Sequence, residues 1–226
     1  MRNRCSSPVR LTRAILAGAL LIHYGCASLP AQGTVKEAPA TGIGYSYQLP
    51  PQWIVVAVAP PPAPVPAPAP LVPKKGTACI SVPQTARHGD PVSVIVVVEL
   101  PFDCYGPTMT GSDLGSFGAG VADGLKQTFD LADPVLGAYT LGSHSVWIER
   151  ARANPKGQPQ AKAEPPYPYT VEIACSVLAK AAVCWMTTAA DDTSLRAFEA
   201  MPVELDADAA TPLVPSTAFA KAPAAP

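Results

Sequence analysis

The sequence predicts an α+β fold: a single domain on a twisted, mainly antiparallel sheet with helices packed on its faces. Three observations carry this expectation. Residues 169–188, YTVEIACSVLAKAAVCWMTT, alternate apolar and polar side chains at the period of two strands flanking a short turn. Residues 92–100, VSVIVVVEL, are apolar on both faces of one strand, which calls for cover on both sides. Between these segments Leu114, Phe117, Val121, Leu125 and Thr128 recur at helical spacing and give one core-facing stripe.

Length and composition fit one domain with irregular attachments. The chain has 226 residues, a formal net charge of -1 and 28 prolines, more than twice the ordinary proline usage of about one in twenty. Near-neutral charge without a basic cluster leaves no electrostatic footprint for nucleic acid.

Residues 1–31 have the pattern of an export signal. Arg2, Arg4, Arg10 and Arg13 precede an apolar run over residues 14–22, AILAGALLI. That run is shorter than the roughly 20 residues a membrane-spanning helix needs. Residues 21–26, LIHYGC, resemble a bacterial lipobox, although His23 and Tyr24 replace the small and aliphatic residues usual there. Cys26 is thus a candidate lipidation site that would attach the protein to a membrane; ordinary cleavage after Ala27 or Ala31 is the alternative. Cys5 leaves with the signal in either case. Of the six cysteines, Cys79, Cys104, Cys175 and Cys184 then remain, an even number for an oxidising compartment. Three pairings are possible, and Cys175–Cys184 with Cys79–Cys104 is favoured because each pair brackets a hairpin. None of the spacings is C-x-x-C or zinc-like, so structural disulfides are expected before a redox or metal site.

The elements follow in order. Residues 32–43 are irregular. Residues 44–58 read as a strand, a Pro-Pro turn and a second strand. The insertion 59–73, APPPAPVPAPAPLVP, is polyproline II in character and suits a linker or spacer, or a ligand for aromatic-lined grooves. A strand over 77–82, a turn over 87–91 and the apolar strand 92–100 form a hairpin. Ser112 is the expected N-cap of a helix over 113–129, with Asp113 in its first turn. Gly115, Gly118, Gly120 and Gly124 weaken that helix and predict close approach to the sheet. Their G-x-x-G-x-G order matches neither the P-loop nor the dinucleotide fingerprint. Strands over 138–141 and 144–152 and an exposed loop over 153–168 precede the hairpin of 169–188. With its turn at Ala179–Lys180, that hairpin sets Cys175 against Cys184, Ile173 against Met186 and Ala174 against Trp185. Asp191 or Asp192 caps a short helix carrying Leu195, Phe198 and Met201, stopped by Pro202. Residues 203–205 add an edge strand, and the Ala/Pro-rich tail 206–226 is loosely held.

No catalytic, cofactor or metal constellation emerges. His88 and His144 lack a serine or cysteine in a nucleophile elbow. Glu149 and Glu172 lie on neighbouring strands near Arg150 and Arg152, where salt bridging is the simpler expectation than a glycosidase pair. The candidate partner surface is Trp147 and Trp185, both expected on the face opposite the buried alternation, beside Glu149 and Glu172; exposed aromatics flanked by charge have hot-spot composition.

Several segments resemble the PsbP/DcrB-like family of exported α/β domains. These are YSYQLPPQW at 45–53, VIVVVELPF at 94–102, Leu141-Gly142 before the strand carrying Trp147, the Pro-Lys-Gly turn at 155–157, and the closing helix 192–201. The resemblance spans residues 44–205; the proline insertion and the cysteines depart from it. It implies a twisted antiparallel sheet with helices on both faces and a non-catalytic accessory or partner-binding role. Together these features lead to an expected exported bacterial envelope protein, periplasmic or anchored to the outer membrane by lipid, with a protein partner there. The alternatives are a hydrolase or a redox-active dithiol protein.

Overall fold

The computed structural model describes residues 36–37, 43–56, 80–105, 108–157, 167–206, 208–214 and 220–221, all within the compact unit Ala31–Pro226. Residues 1–31 with Cys26, the insertion 59–73 and Cys79 lie outside the described residues, as does the side chain of Cys104. The pairing of Cys79 with Cys104 is therefore outside them as well.

The molecule is sheet-dominated. In order its elements are β1 (Lys36–Glu37), β2 (Tyr45–Gln48), β3 (Ile54–Val56), β4 (Ser81–His88), β5 (Ser93–Pro101), the single turn α1 (Phe102–Tyr105), α2 (Leu114–Leu125), β6 (Phe129–Leu141), β7 (His144–Pro155), β8 (Tyr169–Val177), β9 (Ala181–Ala189), α3 (Asp192–Glu199), β10 (Pro202–Leu205), β11 (Thr211–Pro212) and β12 (Ala220–Lys221). They make two sheets where one was expected. The larger runs β12-β6-β7-β8-β9-β5-β4-β3 and the smaller β1-β2-β10-β11, with every adjacent pair antiparallel.

The split explains two differences from the sequence expectation. β2 and β3 flank the Pro-Pro turn yet do not pair: β2 joins β10, and β3 joins β4. Gln52, in that turn, takes φ 72, a left-handed conformation that redirects the chain between sheets. Residues 203–205, expected as an edge strand, lie between β2 and β11. The tail is also more integrated than expected, because β11 and β12 add one strand to each sheet and Leu213 is fully buried.

The central hairpin has the register its alternation predicts. Cys175 faces Cys184, Ile173 faces Met186 and Ala174 faces Trp185, and Leu178 N–H donates to Ala181 C=O across the Ala179–Lys180 turn at 2.8 Å. The apolar run 93–101 sits beside it as β5, between β9 and β4. Gly142, at φ 58, closes the two-residue link from β6 to β7, a conformation that costs glycine little.

Buried side chains fall into layers on the two faces of the large sheet. On one face Ile95, Val97, Val146, Ile148, Ala174, Val183 and Trp185 pack with Tyr45, Tyr47, Val203, Leu205 and Leu213 of the small sheet and its flank, and with Phe198 and Met201 of the α3 region. On the other, Val171, Ile173, Cys175 and Cys184 pack with Leu114 and Ala122 of α2.

Helix α2 is shorter than the expected 113–129. A 3-10 turn over Gly111–Asp113 leads into it, held at its start by Thr110 N–H donating to Asp113 Oδ2 at 2.8 Å, so Thr110 caps the 3-10 turn and Asp113, not Ser112, is the N-cap position of α2. At the other end Gln127 and Thr128 N–H bond to Gly124 and Leu125 C=O, and Phe129 already belongs to β6, paired with Pro155. At α3, Asp191 is the N-cap and its Oδ1 accepts from Ser194 N–H at 2.7 Å.

Candidate functional site

Antiparallel pairing decides where each candidate side chain points. Trp185 pairs with Ala174, and across β8 Ala174 pairs with Ile148, so Trp185 shares its face with Ile148. Trp147 pairs with Cys175, which puts it with the disulfide pair on the reverse face. Glu172 pairs with Arg150 and Glu149 with Ile173, so the two carboxylates also part. The four residues expected to form one exposed partner surface therefore do not. Trp185 and Glu172 are fully buried beneath the small sheet and α3, whereas Trp147 and Glu149 are half-buried on the α2 side. The sequence expectation assumed that both tryptophans opposed a single buried alternation, but this sheet buries both faces.

On the α2 side the geometry is that of packing. The Cys175 and Cys184 sulfurs are 1.96 Å apart, bonding distance for a disulfide, and neither residue is exposed. A Cβ on Gly118 would overlap the Trp147 ring, so this glycine lets α2 close on the sheet. Burial raises the Glu149 carboxyl above its usual range, with Lys126 opposing the shift and Asp123 adding to it.

On the small-sheet side a polar layer runs through the core. Arg150 Nε donates to Glu172 Oε2 at 2.6 Å, and its Nη2 donates to Glu199 Oε1 at the end of α3. Glu172 Oε1 has no hydrogen-bond partner. Burial raises the Glu172 carboxyl to about 7 despite the neighbouring Arg150. Farther along that face Glu99, almost fully buried, accepts from the Tyr45 hydroxyl and from Ser81 Oγ at 3.2 Å. Burial first, then Glu99, pushes the Tyr45 hydroxyl up. The Tyr45 ring meets Trp185 edge-on at 5.5 Å and stacks on Tyr47 at 6.1 Å. The Trp185 Nε1 and Gln84 Oε1 atoms, on strands either side of β5, are buried without hydrogen-bond partners.

A third group joins β4 to the start of α3. His88 stacks on Trp53 at 5.6 Å, with Nε2 3.2 Å from Gln52 Oε1 and Nδ1 3.4 Å from Ser194 Oγ. This is a serine beside a histidine, the arrangement a hydrolase would need, and the sequence search missed Ser194. Its surroundings give it another task. Ser194 is 1% exposed and its hydroxyl donates to Asp191 Oδ2 at 3.1 Å, so it completes the helix cap and presents no nucleophile to solvent. His144, the other histidine, sets Nδ1 3.3 Å from Val177 C=O and Nε2 3.4 Å from Asp206 Oδ2, tying the β6–β7 connection to the end of β10.

The salt bridge expected near Arg150 is present, to Glu172, whereas Glu199, Tyr45 and Glu99 were not singled out in the sequence. Glu99 carried a usable signal, because a carboxylate inside a strand apolar on both faces needs a buried donor. Glu199 carried none, since its meeting with Arg150 depends on where α3 docks.

Chemically these arrangements tie one part of the chain to another. Among the described residues no group of three or more His, Cys, Asp or Glu side chains is placed to hold a metal, and no helix is long and apolar enough to cross a membrane. A shallow depression lined by Gly44, Tyr45, Ser46, Glu204 and Asp206 opens beside β2 and β10; there Ser46 Oγ already donates to Glu204 at 2.7 Å. No protein-family model, curated protein or solved structure matches the chain.

Proposed function

We propose that this is an exported bacterial envelope protein acting as a non-catalytic accessory module that binds a protein partner. The observation that carries the reading is the position of its exposed large apolar side chains. Among the described residues these are Ile54, Val55 and Ile80, at 37%, 44% and 50% exposure, and all lie at the β3–β4 end of the large sheet. Ile54 and Val55 sit on the edge strand β3 and Ile80 just before β4, and apolar exposure along a sheet edge suits a protein contact. Further support comes from the signal-like pattern of residues 1–31 and from the buried Cys175–Cys184 pair, which suits an oxidising compartment. His88, His144, Glu99 and Glu172 are engaged in structural bonds, which favours binding over the hydrolase alternative. The redox-dithiol alternative needs an accessible pair, and both sulfurs are enclosed.

The same proposal carries the finer fold class, an α+β domain of the PsbP/DcrB-like kind with helices on the two sheet faces. The order of elements and the placement of α2 and α3 support it. Attachment through lipidated Cys26 belongs to it too.

Photo-crosslinking in the native envelope tests the partner reading. A crosslinking residue at Val55 or Ile80 should capture one and the same protein, identified by mass spectrometry, and Ile54→Lys should abolish capture. A probe at Ser116, on the exposed side of α2, should capture nothing specific. Equal yields from all three positions, or no reproducible product, would overturn the assignment.

A further inference from the structure

We propose that Glu172, Arg150 and Glu199 form a proton-sensitive latch that fastens α3 to the large sheet more tightly as pH falls. This inference is independent of the partner reading above.

The geometry sets two carboxylates against one guanidinium. Arg150 on β7 bonds Glu172 on β8 through Nε and Glu199 on α3 through Nη2. Glu172 has no exposed surface, and one of its oxygens lacks any partner. An ionised carboxylate in that position keeps an unsatisfied oxygen away from water, which is costly. Glu199 is the last residue of α3, where the helix dipole disfavours negative charge. Arg150 therefore has two anions to offset. When Glu172 takes up a proton the net charge of the trio rises from minus one to zero, and within the trio Glu199 no longer shares the guanidinium with a second anion.

The other groups facing Glu172 do not supply a second cation. Tyr139 on β6 is half-buried, its hydroxyl pushed up first by burial and then by Glu172, and it donates to Pro212 C=O at 3.4 Å. Thr187, opposite on β9, donates to Val94 C=O at 3.0 Å. Arg152, next along β7 on this face, lies 4.0 Å from Asp133.

The sign follows from linkage. The folded chain holds the Glu172 proton more tightly than the unfolded chain does, so between the ordinary carboxyl titration and that of Glu172, at about 7, folding takes up a proton. Stability contributed by this site is therefore gained as pH falls through that window, the reverse of ordinary acid denaturation.

Denaturant unfolding of the full chain between about pH 8 and pH 5 should show the folding equilibrium constant rising by one to two orders of magnitude. Glu172→Gln, which keeps an acceptor for Arg150 but cannot titrate, should lose that rise. Glu199→Gln removes the second anion of the trio and should lower the Glu172 midpoint, shrinking the window. Should either variant misfold, carboxyl-carbon NMR on the unmodified chain reads the Glu172 titration directly, and hydrogen exchange at residues 195–200 should slow at the lower pH once intrinsic rates are corrected. Glu172 titrating with the exposed carboxyls, or the full pH dependence surviving in Glu172→Gln, would overturn the latch.

Discussion

The two faces of the β8–β9 hairpin belong to the same pair of strands yet are held by different forces. Toward α2, Val171, Ile173, Cys175 and Cys184 present an apolar surface fastened by a crosslink and covered by a helix. Toward the small sheet, Glu172, Trp185, Ser176 and Thr187 bring polar atoms into the core, some satisfied by Arg150 and by backbone carbonyls and some left without partners. Apolar burial depends on area and tolerates small shifts. A buried polar layer depends on partners at fixed distances, and losing one leaves its mate desolvated. Stability on the first face should thus change gradually, and on the second abruptly.

The largest effect expected from this contrast is on the polar face. Arg150→Met keeps much of the side-chain volume but strips Glu172 of its cation, and removing one partner of a buried ion pair costs about 3–5 kcal/mol. Urea unfolding at mildly alkaline pH should show that loss, and it should shrink on acidification because Glu172 then becomes neutral. A loss below about 1 kcal/mol at the alkaline end would mean that Glu172 is already protonated there or that water reaches it. On the apolar face the corresponding break is the double replacement of Cys175 and Cys184 by alanine. The two positions are nine residues apart, and chain-entropy treatment of so short a loop gives about 3 kcal/mol. That loss should be independent of pH, and the pH dependence is what separates the two faces experimentally.

Legibility in the sequence divides along the same line. The apolar face could be read from the chain: period-two alternation over 169–177 and a two-residue turn sufficed to set Cys175 opposite Cys184. On the polar face only the Arg150–Glu172 pair, on neighbouring strands, could be expected; the rest could not, because Tyr45, Glu99 and Glu199 come from β2, β5 and α3 and meet it only through packing of distant elements. Trp185 shows the limit most clearly. Its alternation correctly placed it opposite the cysteine face, but nothing local said that Tyr45 and the small sheet would cover it. The second sheet itself was hidden because β2 and β10 are short and more than 150 residues apart in the chain, whereas hairpin signals are local.

The smallest effects concern the glycines of α2, and they sharpen the comparison because one helix carries both kinds of position. Gly118 faces Trp147, and any Cβ there overlaps a rigid ring. Gly120, two residues on, is exposed with nothing within 4 Å of a built Cβ. Gly118→Ala should therefore force α2 off the sheet or turn the Trp147 ring, an overpacking cost of about 1–3 kcal/mol. Gly120→Ala meets no neighbour and reduces the freedom of the unfolded chain, so it should stabilise by up to about 1 kcal/mol. Thermal unfolding of the two variants side by side reads the difference, and tryptophan fluorescence should change only in Gly118→Ala. Opposite signs would establish that close approach to the sheet is a demand of position 118 alone. Destabilisation by both would mean that the outer side of α2 is not open in the folded protein, and that something packs against Gly120 in solution.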